Sequence, residues 1–251
     1  MMRIIDSHCH YGKGDGFTGP WDTNAPLQPF LNWSVRAGIQ QTVLFAPFHS
    51  DYRAANRVVG ALVNKDPGKY FGYAFVHASR DKGHLHRMVE EAIRGYHCCG
   101  IKAHRYDAPI SRELAEVAQA FNLPVLYDVM GEVATVDLFA REYPRVNFII
   151  PHLGSFADDW KAQRLFVDLL TTYPNVYTDS SGVRRFELLQ LALDKAGAGK
   201  ILFGTDGPWL HPEVELTKIL ALEASEQDKI AMLSGNFLKL TKKAREKISL
   251  A

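Results

Sequence analysis

The chain has 251 residues, 47% apolar, 23% charged and 11% aromatic, which excludes a disordered protein, a collagen-like fibre and a disulfide-stapled miniprotein. Its 29 basic and 28 acidic residues leave a net charge of +1, so no global field draws it to polyanions and nucleic acid is disfavoured as a partner. The length suits either two average domains or one α/β barrel of about 250 residues.

Short β-branched and aromatic runs predict strands at Arg3 to Ile5, Gln41 to Phe45, Phe71 to Val76, Gly100 to Ala103, Val125 to Tyr127, Asn147 to Ile150, Val176 to Thr178 and Ile201 to Phe203. Each is separated from the next by room for a helix and two turns. After Ser111, a predicted N-cap, Leu114, Val117, Ala118 and Phe121 repeat at helical spacing, and Asn122-Leu123-Pro124 ends that helix. Leu165, Val167, Leu169 and Leu170 lie in a similar stretch that stops at Tyr173-Pro174-Asn175. Strands with few polar positions, each followed by a helix, indicate a parallel sheet buried on both faces. Eight such units without a composition break predict a single α/β domain, a (β/α)8 TIM barrel spanning residues 1–251. The Lys- and Leu-rich tail from Glu226 reads as one or two C-terminal covering helices. The loop YGKGDGFTGPWDTNAP is longer than the common βα connection and lacks the spacing of a phosphate-binding loop; it reads as a flap over the site or as a plain surface loop.

Three cysteines, Cys9, Cys98 and Cys99, are too few and too badly spaced for a disulfide framework, which predicts a reducing compartment. The N-terminal segment has no apolar core of signal-peptide length, and no uncharged apolar stretch approaches the roughly 18 residues that span a bilayer. A cytoplasmic protein with a small-molecule substrate and no membrane partner is expected, and a homo-oligomer is compatible with the sequence.

In a barrel the C-terminal strand ends share one mouth. Polar residues gather there: Asp6-Ser7-His8-Cys9-His10 after the first strand, Lys102-Ala103-His104 after the fourth, Asp128 after the fifth, His152 after the sixth and Asp206 after the eighth. His8 and His10, two apart on an extended chain, present both imidazoles to one side. With His152 and Asp206 at two further strand ends they form a metal-competent set suited to a divalent transition ion such as Zn²⁺.

The motifs IIDSHCH, GIKAH, FIIPHLG, ILFGTDGPW and SGNFLKL, in this order and after successive strands, resemble the amidohydrolase superfamily, and in particular the amidohydrolase-related group that also contains nonoxidative decarboxylases and hydratases. The resemblance covers nearly the whole chain. It implies that His8 and His10 are metal ligands and that Asp206 binds the metal and handles the proton of an attacking water. It further implies that His152 is a ligand or an acid-base group beside the metal. Two positions depart from the pattern or leave it open. Asp128 stands where the family usually has a histidine, and is read as a ligand or near-ligand that would shift preference toward a harder ion such as Mn²⁺. Lys102 is either carboxylated and bridging two metals, turned to solvent, or a cation for a substrate carboxylate; His104 is either a replacement ligand or a substrate contact.

Arg105 and Arg184 are candidates for orienting an acidic substrate and Trp209 for walling its pocket. Phe156 is a second wall candidate; His49 and His77 are weaker mouth candidates, while His84, His86 and His97 read as surface. The expected function is a metal-dependent hydrolase acting on a small cyclic or carboxylated substrate with an amide, ester or lactone bond. A nonoxidative decarboxylase or hydratase using the same site is the second reading, and a non-catalytic binding paralogue without metal the third.

Overall fold

A computed structural model describes residues 2–16, 24–156 and 159–248, so residues 17–23 of the long first loop, on which the flap reading partly rests, lie outside the described residues. Eight strands form one parallel sheet in chain order: β1 (Ile5–His10), β2 (Gln41–Phe45), β3 (Tyr70–Phe75), β4 (Cys98–His104), β5 (Val125–Asp128), β6 (Phe148–Ile150), β7 (Val176–Asp179) and β8 (Ile201–Leu202). The sheet curls until its ends meet: the Ser7 N–H donates to the Phe203 carbonyl at 2.9 Å, the His10 N–H donates to the Gly207 carbonyl at 2.6 Å, and Cys9 bridges Gly207 in parallel. The result is the expected TIM barrel.

A helix follows every strand: α1 (Leu27–Arg36), α2 (Tyr52–Lys65), α3 (Leu85–Tyr96), α4 (Arg112–Phe121), α5 (Ala134–Glu142), α6 (Trp160–Thr172), α7 (Phe186–Ala196) and α8 (Pro212–Ala221). Local chemistry sets their ends. The Asp51, Ser111 and Asp159 side chains accept hydrogen bonds from the N–H groups of Ala54, Leu114 and Ala162, which satisfies donors at the first turns of α2, α4 and α6. Asn122 closes α4 in the left-handed conformation, at φ 57°. Among the described residues no helix is long and apolar enough to cross a membrane.

Four strands run further toward the mouth than their composition suggests. β1 continues through Asp6, Ser7, His8, Cys9 and His10 instead of stopping at Ile5, and β4, β5 and β7 each gain one polar residue at their end, His104, Asp128 and Asp179. Polar side chains are tolerated there because the neighbouring strands still pair their backbones while the barrel mouth receives the side chains. Below them the interior is filled by rings: Phe45 and Tyr73 lie parallel with centroids 6.5 Å apart. Gly100 makes room for Tyr73, since a Cβ there would sit 2.4 Å from its ring.

After α8 come α9 (Glu226–Ile230), a π-helical turn and α10 (Asn236–Ile248). They cover the barrel's N-terminal end, where Phe237 meets Phe71 at 5.0 Å between centroids and Phe203 donates its N–H to the Met232 carbonyl. Asn236 joins this cover to β8: its Nδ2 donates to the carbonyls of Ala198 and Ile201, both at 2.7 Å. Asn236→Ala strands two buried carbonyls and is expected to lower stability by about 2 to 3 kcal/mol. Urea unfolding measures the loss, and an unchanged midpoint would show that the cover does not depend on this side chain.

Candidate metal centre at the barrel mouth

His8 and His10 leave β1 with their rings turned to the mouth, and Asp206 reaches them from the turn after β8. The Nε2 atoms of His8 and His10 lie 3.3 and 3.4 Å from the same oxygen, Oδ1 of Asp206. On the far side of each ring Nδ1 is engaged by protein, at 2.8 Å from Asp179 Oδ2 for His8 and 3.1 Å from the Ala46 carbonyl for His10. A carbonyl and a carboxylate only accept, so both rings carry a proton on Nδ1 and direct Nε2 at Asp206. Among the described residues these three side chains are a group with ligand atoms all within 4.8 Å of one another.

The electrostatics of this group call for a cation. Burial, the largest influence on His10, lowers it to about 4, so its ring is neutral near pH 7 and its Nε2 offers a lone pair. Burial pushes Asp206 up, but the facing imidazoles of His10 and His8, with the charge on His8, hold it well below the usual carboxylate range. His8 is pushed down by burial but carried to about 9 by Asp179 and Asp206 on its two sides. A divalent cation that displaced the Nε2 proton of His8 would face two imidazole lone pairs and the Asp206 carboxylate, and two imidazole nitrogens with a carboxylate oxygen are a donor set suited to an open catalytic site for Zn²⁺ or a similar ion. Asp206 itself sits in the left-handed region, at φ 55°, a conformation that costs a non-glycine residue on the order of 1 kcal/mol and aims its side chain back at β1.

A second cluster adjoins the first. Asp128 accepts from the Met130 N–H at 2.8 Å through Oδ1, while Oδ2 lies 3.2 Å from His104 Nε2 and 3.5 Å from His152 Nε2. His104 Nδ1 accepts from the Tyr106 N–H at 3.0 Å, so its proton is on Nε2 and is donated to Asp128. Burial raises Asp128, but His104, His152 and Lys102 outweigh it and keep the carboxylate ionised. His152 donates Nδ1–H to the Ser181 carbonyl at 2.7 Å and turns Nε2 into the cavity. Lys102 is fully buried, which lowers its ammonium below the usual range, against the pull of Asp128, Asp206 and Asp179. Its Nζ lies over the Phe45 ring at 5.2 Å.

The structure thus gathers His8, His10, Lys102, His104, Asp128, His152, Asp206 and Trp209 around one cavity of about 480 Å³. The sequence-expected ligands are divided between two adjoining clusters, with Asp128 and His152 outside the group formed by His8, His10 and Asp206. Arg105 and Arg184 do not line the cavity. Arg105 instead donates to Glu132 at 2.7 Å on the barrel's outer side, because a side chain one residue beyond His104 points the opposite way. Arg184 is exposed. His49 pairs with Asp15 and His77 caps its own loop by accepting from Arg80, so neither reaches the cavity.

Sequence reasoning missed the residues that hold the ligands in place. Asp179, wholly buried at the end of β7, accepts from His8 through one oxygen and from the Ser181 hydroxyl at 2.5 Å and Ser181 N–H at 3.1 Å through the other. Asp6 accepts from the N–H of Thr205 at 2.9 Å, its hydroxyl at 2.8 Å and the His8 N–H at 3.1 Å; burial raises it to about 7 in spite of these bonds. The signal for Asp179 is its position, a carboxylate ending a barrel strand.

A family model describing amidohydrolases matches residues 5–240, and the chain belongs to that family. Solved structures share the fold at low identity. An amidohydrolase from Burkholderia multivorans superimposes with a TM-score of 0.80 at 16% identity, covering 96% of this chain and 99% of that one. A 5-carboxyvanillate decarboxylase from Sphingomonas paucimobilis gives 0.76 at 14%, with 96% and 99% covered. A dihydroxybenzoic acid decarboxylase from Polaromonas sp., solved with manganese and 2-nitroresorcinol, gives 0.71 at 18%, with 99% of each chain covered. No curated protein matches the chain.

The protein purified without chelator is expected to carry a divalent transition metal measurable by elemental analysis, and His10→Ala to lose it. Asp179→Asn, which removes the acceptor behind His8, is expected to weaken metal affinity about 10- to 100-fold in competition with a chromogenic chelator. Wild-type affinity in that variant would show that Asp179 does not support the ligand.

Proposed function

We propose that this protein is a metal-dependent nonoxidative decarboxylase of carboxylated aromatic rings. The observation that carries the reading is the composition of the cavity: a floor of His8, His10, Asp206 and the buried Lys102 beneath walls that include Phe48, Tyr106, Phe156 and Trp209. A flat ring fits between such walls, and a carboxylate fits beside the only lysine or arginine among the described lining residues. Structures of similar fold include proteins named as decarboxylases of carboxyvanillate and dihydroxybenzoate, which agrees with this choice.

A divalent ion on His8, His10 and Asp206 would supply Lewis-acid charge at the substrate's carboxylate; two nitrogens and one oxygen suit Zn²⁺, and Mn²⁺ is the alternative. The protein's own groups do the rest. Lys102 pairs with the carboxylate, and the aromatic walls orient the ring and keep water from its face. The bond between ring carbon and carboxyl carbon breaks, CO₂ leaves, and a proton takes its place on the ring. Asp206, ionised at rest and next to both imidazoles, is the carboxylate that takes up a proton from solvent before the ring seals the cavity, passes it to that carbon and returns to its ionised form. His152 Nε2, fixed by Ser181, faces the same space and orients the substrate's oxygen substituents.

Hydrolysis through the same residues was the first expectation from sequence, and the two reactions are separated by their products. A panel of hydroxylated benzoates offered to the Zn²⁺- and Mn²⁺-loaded protein is expected to release CO₂, with Asp206→Asn reducing turnover about 100-fold or more and chelation abolishing it until metal is restored. Hydrolysis of lactones or amides with no CO₂ from any benzoate would overturn the reading.

A further inference from the structure

The rim of the cavity differs from its floor. Tyr106, Met130, Phe156 and Trp209 all line it and remain 39%, 46%, 49% and 44% exposed, whereas the other large exposed apolar side chains among the described residues lie on helices and line no part of the cavity. Apolar side chains grouped at the mouth of a cavity mark a surface that a ligand covers.

Each of these side chains is held in place by identifiable contacts. Trp209 packs on His10 with centroids 4.5 Å apart and the rings tilted at 43°, and Phe156 stands edge-on to His152 at 5.1 Å and 90°. Gly182, at φ 63°, leaves the space Phe156 occupies, since a Cβ there would lie 2.5 Å from the Phe156 ring. Met130 is in the left-handed region at φ 50°, held by its N–H bond to Asp128, so a strained backbone keeps an unbranched thioether at the opening. Tyr106 packs on Phe48 at 5.2 Å, and Phe48 in turn on His104 at 4.8 Å.

Charge is distributed in the opposite sense. Lys102 is at the floor, and Arg105, the cation nearest in sequence to the rim tyrosine, pairs with Glu132 instead of lining the cavity. A ligand with its carboxylate at Lys102 therefore directs its far end at a rim of rings and one thioether.

We propose that the substrates carry an apolar substituent on the ring at the end away from the reacting carboxylate, and that Met130 and Phe156, with Tyr106 and Trp209, select for it. The inference rests on the ring-carboxylate reading above and adds which ring carboxylates are preferred. A second carboxylate at the far end would have to be desolvated against rings and a thioether with no cation among the described lining residues there, so dicarboxylates are disfavoured.

Calorimetric titration of the metal-loaded protein with benzoate and its 4-methyl, 4-ethyl, 4-propyl and 4-butyl derivatives tests the rim by binding alone. Affinity is expected to rise up to about fourfold per methylene until the rim is covered, with 1,4-benzenedicarboxylate weaker than 4-butylbenzoate by at least tenfold. Met130→Ser and Phe156→Ser are expected to flatten the series and Met130→Leu to keep it, with metal content confirming that each variant is folded. Equal affinities along the series, tight binding of the dicarboxylate, or an unchanged slope in both serine variants would overturn the proposal. CO₂ release with a flat series defeats the rim proposal alone; a graded series with no CO₂ from any ring carboxylate defeats decarboxylation alone.

Discussion

The site is built across the seam where β1 meets β8, and the bond that sets the seam is the buried carboxylate of Asp6 on Thr205. Asp6 accepts from both the N–H and the hydroxyl of Thr205, whose hydroxyl oxygen also accepts from the Gly207 N–H at 3.0 Å. These contacts bracket Asp206 on either side and hold it at φ 55°, facing the imidazoles that β1 presents. Every further feature of the mouth needs that juxtaposition, because the two imidazoles and the carboxylate that converge come from opposite ends of the chain. A left-handed aspartate has no intrinsic stability, so the fold must over-determine it.

Burying carboxylates at such density is expensive unless each has a partner. Asp128, Asp179 and Asp206 all stay ionised because imidazoles, the Lys102 ammonium or hydroxyl and N–H donors meet their oxygens. The histidines in turn have their tautomers dictated by what lies behind them: a carboxylate for His8, a backbone carbonyl for His10 and His152, and a backbone N–H for His104. This separates two roles that look alike in sequence. His8 and His10 turn Nε2 toward Asp206, whereas His104 gives its proton to Asp128 and acts as that carboxylate's support.

The fold was largely legible in the sequence because it rests on period and composition. Strand runs buried on both faces and separated by amphipathic helices define a parallel barrel, and Ser111 and Asn122 mark the ends of α4 by local hydrogen bonding alone. The mouth residues were legible in part, since an i, i+2 pair on an extended chain must share a face and strand ends must share a mouth. Asp179 and Thr205 were not, because their importance is a matter of which side chain stands behind a ligand. Arg105 lies away from the cavity for a related reason: adjacency in sequence to a mouth residue on a strand sends a side chain to the opposite side.

What the sequence determined by itself was the set of metal-competent side chains and the scaffold that carries them, through residue type, spacing and hydrophobic period, all of which are local. Only the tertiary structure decided how that set divides: His8, His10 and Asp206 in one cluster, Asp128 with His104 and His152 in the next, and an aromatic rim above both. The reason is that a ligand's competence depends on the proton its ring carries and on the charge beside it. Both are set by atoms brought from distant parts of the chain when the barrel closes.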